Sequence, residues 1–202
     1  MLVAARRATA SQSSSPSSAQ RWRGSGDGHH GRVTSPIREL LARAAPEVAP
    51  RLLGLLLTHE TEAGPVTIEL TEVEAYAGEV DPASHAFRGT TLRNNVMFGP
   101  AGRLYVYLSY GMHWCANIVT GPDGQASAVL LRAGRVVQGV DLARSRRGPR
   151  VLDRSLARGP ACLTQALGID SRHNAIDLLS GGTLRLTPPP SPDLSEPGAA
   201  IA

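Results

Sequence analysis

The chain has 202 residues and a formal charge of +4, with 21 basic residues that are all arginine and two cysteines, Cys115 and Cys162. The absence of lysine excludes a side-chain Schiff base and a phosphate-loop lysine, and arginine, protonated throughout the accessible pH range, does not replace lysine as a nucleophile. Two cysteines exclude an all-cysteine zinc site, a four-cysteine iron–sulfur cluster and a secreted disulfide framework, and no apolar run reaches signal-peptide or membrane-spanning length, which together fit a reducing cytosol.

Residues 1–34 differ in material from the rest. They form an Arg/Ser-rich N-terminal extension, and the run from Ser11 to Gln20 holds almost nothing that packs, so disorder is expected there. Its arginines, Arg6, Arg7, Arg21, Arg23 and Arg32, set against Asp27, carry the whole excess of +4 and leave the remaining body near neutral. The high isoelectric point is therefore weak evidence for nucleic acid. Residues 35–202, about 168 in number, are enough for one domain with a useful core.

From Ser35-Pro36 a helix is expected over 37–45, with Ile37, Leu40 and Leu41 on one face. A second short helix within 48–57 passes through Gly54 into a strand at 55–59, and the turn at 60–65 sends the next strand, 66–76, back as a hairpin. Residues 78–93 read as a long functional loop or a helix-containing excursion. The segment 104–110 alternates, with Leu104, Val106 and Leu108 on one face and Tyr105, Tyr107 and Ser109 on the other, and Gly111 redirects it. Strands at 115–119 and 126–133 flank a turn at 120–124. Helices are expected at 136–146 and 163–167, a last strand at 183–186, and no regular structure in the proline-rich 187–192. Hairpin-linked strands with helices outside them imply an α+β fold, a single domain with a curved, largely antiparallel, barrel-like β core and peripheral helices.

Within the strand 66–76 the two-residue period puts Val66, Ile68, Leu70, Glu72, Glu74 and Tyr76 on one face, so a face that begins in the core is expected to end in charge. A partly desolvated carboxylate kept ionised by a neighbour suits a general base. The same residues also suit an ordinary solvated strand end, and the segment by itself leaves both readings open. Seven acids and no arginine lie between Leu52 and Phe87, whereas eight arginines lie from Arg132 to Arg158. A basic segment bordering the acidic strand would attract a polyanion; solvated loops around a helix are the alternative.

In order and spacing, the segments Arg51-Leu52-Leu53-Gly54, Val73-Glu74-Ala75-Tyr76, His85, Arg93-Asn94, Met97-Phe98, Gly102 to Met112, Asn117, Leu130-Leu131-Arg132, Gly159-Pro160 and Gln165-Ala166-Leu167 form one pattern. It resembles the alkyladenine (3-methyladenine) DNA glycosylase family over roughly residues 51–178. The resemblance implies that Glu74 activates a hydrolytic water with help from Arg132, that Tyr76, His85, Tyr107 and Asn117 form the pocket for a flipped base, and that Tyr110 fills the vacated stack. Arg93, Arg144, Arg146, Arg147 and Arg158 are expected to meet the DNA backbone. The implied partner is double-stranded DNA containing damaged purines, met by a cytoplasmic monomer on nucleoid DNA, with no metal, no cofactor and no membrane. Cys162 and His113 depart from the family pattern, where a basic and an aromatic residue are common. A metal-dependent phosphoesterase built on Glu72, Glu74, His85 and His113, or a noncatalytic nucleic-acid binder, are the competing readings of the same residues.

Overall fold

The computed structural model describes residues 3–6 and 36–190. The expected disorder of the extension falls outside these residues, except at the strand β1 (Val3–Arg6). Proline opens both early helices, where its missing N–H goes unused. Helix α1 (Pro36–Leu41) begins on Pro36, and α2 (Ala45–Leu52) carries Pro46 in its first turn. The apolar stripe Ala45, Val48, Ala49, Leu52 recurs at helical spacing and is completely buried.

The hairpin expected around residue 62 is present as β2 (Leu56–Thr61) and β3 (Gly64–Tyr76). Strands β4 (Leu104–Ser109), β5 (His113–Val119), β6 (Ala128–Gln138) and β7 (Leu184–Thr187) complete a sheet in the order β4-β5-β6-β3-β2-β7, every pair antiparallel. Strand β1 pairs with Glu72–Ala75 of β3, beyond the part of β3 that β2 occupies, so two short strands share one edge of β3 while β6 takes the other. The helices α3 (Val140–Arg147) and α4 (Pro160–Leu167) pack on each other and against the sheet. The result is a curved antiparallel half-barrel with peripheral helices, the α+β architecture that the strand pattern implies. One core includes Leu41 and Leu52, the sheet residues Ile68, Leu70, Leu104, Ile118 and Leu131, and Leu163 and Leu167 of α4. Among the described residues no helix is long and apolar enough to cross a membrane.

Two expectations are corrected. The even residues of β3 do not stay on one face. Pairing with β6 is irregular between Leu70 and Val73, so the core set changes from Val66, Ile68 and Leu70 to Val73 and Ala75. A bulge adds one residue and reverses which side chains face inward. Glu72, Glu74 and Tyr76 thus lie on the side away from this main core. The second correction is at residues 136–138, expected as the start of a helix, which continue β6 by pairing with Thr67 and Ile68. Gly139 ends the strand at φ +73, where a Cβ would stand 2.1 Å from the Pro65 carbonyl oxygen, and α3 starts one residue later.

Candidate active site

Past its bulge, β3 delivers Glu72, Glu74 and Tyr76 at alternate positions, and β6 delivers Arg132 from its own irregularity, between the pairs Glu72–Ala133 and Val73–Leu131. The guanidinium of Arg132 donates from Nε to Glu72 Oε1 at 3.0 Å and from Nη1 to Glu74 Oε2 at 2.5 Å. The Tyr76 hydroxyl donates to the other Glu74 oxygen, Oε1, at 3.0 Å. Both oxygens of a carboxylate only 6% exposed are therefore oriented by protein donors, one of them charged. Burial, and then the Glu74 charge, pushes the Tyr76 phenol up to about 12, so it remains a neutral donor.

Tyr76 is also a wall of the adjoining cleft, which Ala83, His85, Met97, Tyr105, Tyr107 and Asn117 complete around about 270 Å³ of space, its mouth included. The excursion after β3 brings His85 back to the sheet. Gly78, at φ +66, makes the exit turn so close to Ala126 that a Cβ would stand 1.9 Å from its carbonyl oxygen. The buried Asp81 carboxylate accepts from the Ala77 and Ala83 amides, and Asn94 Nδ2 donates to the carbonyls of His85 and Gly89 at 2.9 and 3.0 Å. The loop is thus fastened by side chains on both sides of the histidine.

His85 Nδ1 lies 3.1 Å from the Tyr105 hydroxyl, and its ring meets Tyr107 edge-on with centroids 4.5 Å apart. Burial, aided by the charge of Arg93, pulls His85 below the ordinary histidine range. Burial likewise pushes the Tyr107 phenol upward, with Cys115 opposite it in β5 contributing. Asn117 pairs with Tyr105 across the strands and donates from Nδ2 to its carbonyl at 3.2 Å. Beyond the cleft, the β4–β5 hairpin lifts Tyr110 into solvent at 92% exposure with φ +50, followed by Gly111 at φ +68 and an exposed Met112.

The structure thus gathers Glu74, Arg132, Tyr76, His85, Tyr107 and Asn117, and sets Tyr110 on the hairpin that Tyr107 belongs to. Arg93 lies against this wall, its Cζ 5.3 Å from the Tyr107 ring centre. Arg158 is exposed and forms an isolated bridge with Ala133, one residue from Arg132. Arg144, Arg146 and Arg147 stand on α3, outside the cleft lining. Arg144 pairs with Asp141 and Asp153, Arg146 donates to Ala166 and Thr61, and Arg147 donates to Leu156, Gln165 and the Cys162 sulfur. Among the described residues no group of three or more His, Cys, Asp or Glu could hold a metal ion; Glu72 and Glu74 turn to Arg132, and His85 to Tyr105. Met97, Ala83 and the fastening role of Asp81 carry no periodic signal in the sequence. Tyr105 carries the alternation of 104–110, and Asn94 belongs to the Arg93-Asn94 pair of the family pattern.

The arrangement is a buried, oriented carboxylate one hydrogen bond from an aromatic cleft, with a strained, exposed aromatic residue nearby. Residues 39–200 match the family described as methylpurine-DNA glycosylase. The chain is 53% identical over 153 residues to a Leifsonia xyli subsp. xyli protein named as a 3-methyladenine DNA glycosylase, covering 73% of this chain and 72% of that one. A Streptomyces avermitilis protein named in the same way is 52% identical over 155 residues, covering 76% and 73%, and one from Frankia casuarinae is 60% identical over 122 residues, covering 60% and 55%.

Proposed function

Because the chain belongs to the methylpurine-DNA glycosylase family, and so is a DNA-binding glycosylase of base excision repair, we propose that it flips alkylated or deaminated purines out of duplex DNA and hydrolyses their N-glycosidic bond, leaving an abasic site. The observation that carries this reading is the Glu74 carboxylate, held by Arg132 and Tyr76 directly beside the cleft. It acts as a monofunctional hydrolase, as a monomer on DNA in the cytoplasm, with no metal or cofactor.

Extruding a nucleotide costs unstacking energy, which is offset when the base stacks on aromatic walls and a side chain enters the vacancy. Tyr76, His85 and Tyr107 supply walls, and Tyr110 supplies the wedge. Base-on-aromatic stacking contributes roughly 1 to 3 kcal/mol. A water placed at Glu74 loses a proton to the carboxylate as its oxygen bonds to C1′. The electron pair of the C1′–N9 bond leaves with the purine, and the negative charge of Glu74 favours the oxocarbenium character of the sugar. Arg132 is a positioning residue. It fixes one Glu74 oxygen, while Tyr76 orients the other.

The test is release of free base from duplex DNA carrying one damaged purine, measured by HPLC. Glu74→Gln is expected to slow release by about 10²- to 10⁴-fold, the usual worth of a positioned acid or base, with DNA binding retained and with EDTA leaving the wild type unchanged. Release that survives the substitution would remove Glu74 from the mechanism. Binding with no release by the wild type would favour a noncatalytic binder.

A further inference from the structure

Arg93 faces the cleft wall. Its Cζ stands 5.3 Å from the centre of the Tyr107 ring, and Nη2 donates to the Leu108 carbonyl at 3.1 Å, so the backbone of β4 holds the cation in place. Its charge bears on both members of the next pair, the Tyr105 hydroxyl and His85, whose Nδ1 lies 3.1 Å from that hydroxyl. A hydroxyl beside a fixed cation turns its lone pairs toward the charge and its hydrogen away, here toward His85 Nδ1. An imidazole that accepts at Nδ1 and is kept neutral carries its single hydrogen on Nε2. Among the described residues Nε2 has no hydrogen-bond partner, and no buried side-chain nitrogen or oxygen is left unsatisfied. The His85 ring lines the cleft, so its Nε2–H remains available there as a donor.

We infer that Arg93 sets the charge preference of the base pocket, so that it favours neutral damaged purines bearing a hydrogen-bond acceptor over cationic, N-alkylated ones. This rests on the glycosylase reading above. In both cases the C1′–N9 electron pair departs with the purine. A cationic base thereby leaves neutral, whereas a neutral base leaves with a developing negative charge and then takes a proton from water. A guanidinium and an N–H donor stabilise the second departure and not the first. The guanidinium also opposes entry of a second cation, and the Tyr107 ring it faces already has a cation for its π electrons.

The experiment is single-turnover base release by the full chain from two duplexes identical except for one hypoxanthine, which is neutral, or one 7-methylguanine, which is cationic. Arg93→Gln is expected to raise the ratio of the 7-methylguanine rate to the hypoxanthine rate by about threefold or more, as removal of a nearby unit charge implies, whereas Arg93→Lys keeps the wild-type ratio. Tyr105→Phe, which frees the His85 tautomer and leaves the Arg93 charge, is expected to slow hypoxanthine release more than 7-methylguanine release. Both lesions slowing together in Arg93→Gln, with a shallower salt dependence of binding, would overturn the inference and make Arg93 a phosphate contact only. Equal slowing of both lesions in Tyr105→Phe counts the same way. A wild type that releases neither base would sink the glycosylase reading and this inference with it. An active wild type with an unmoved ratio overturns the inference alone.

Discussion

His59 is nearly buried on β2, outside the cleft, and forms a chain with His173. Its Nδ1 lies 2.8 Å from the Leu167 carbonyl, which only accepts, so Nδ1 carries a hydrogen. The His59 and His173 Nε2 atoms are 3.3 Å apart, and the Asp170 amide donates to His173 Nδ1 at 3.1 Å. With its hydrogen on Nδ1, a neutral His59 accepts at Nε2 from the His173 Nε2–H. Burial chiefly pulls His59 below the histidine range; the Leu167 bond opposes this, and His173 and Arg146 add to it. A lowered folded-state pKa means that the unfolded chain takes up the proton first. The stability involved is complete above about pH 6.5, the unfolded histidine value, and is lost as pH falls through the folded value. His85 has the same sign. The unfolding temperature is therefore expected to fall between about pH 7 and pH 5, and His59→Asn, which keeps a donor for Leu167, should flatten that slope when followed by circular dichroism. A slope identical in both proteins would assign the acid sensitivity elsewhere.

At the level of elements, two turns separate function from stability. Tyr110 holds φ +50 at the β4–β5 tip, a region that costs most side chains about 1 kcal/mol or more and that asparagine tolerates. Tyr110→Asn is therefore expected to leave the melting temperature unchanged or raised, while lesion binding weakens by about 1 to 3 kcal/mol, the worth of a lost stacking partner. Equal lesion affinity in wild type and variant, read by fluorescence anisotropy, would deny the wedge. Gly139 has the opposite character. A Cβ there would meet the Pro65 carbonyl oxygen at 2.1 Å, whereas at Gly111 a Cβ meets nothing within 4 Å. Gly139→Ala should destabilise by more than about 2 kcal/mol, and Gly111→Ala by only about 1 kcal/mol from its positive φ. Chemical denaturation of the two variants compares them directly.

For the molecule as a whole, the absence of lysine bears on the product expected of the proposed reaction. No side-chain amine can attack C1′, so borohydride added during turnover is expected to trap no protein–DNA adduct, and the damaged strand should stay intact on a gel until alkali cleaves the abasic site. A trapped adduct would require another amine. The arginines of α3 carry a cluster of charge in the sequence, and in the structure Arg144, Arg146 and Arg147 each also bond within the protein.

Local order alone determined much of this protein. Alternation placed Tyr105 and Tyr107 on one face of β4, the acidic turn placed the β2–β3 hairpin, and the spacing of Glu74, Tyr76, His85, Tyr110, Asn117 and Arg132 pointed to the family that the comparisons then showed. Only the tertiary structure decided which side of β3 faces the main core, because a bulge is a mismatch between two strands and periodicity within one strand cannot register it. The same holds for Arg132 gripping both glutamates and for Arg93 against Tyr107. Such contacts join residues far apart in the chain, so their partners are chosen by how the sheet curves and not by any neighbour in sequence.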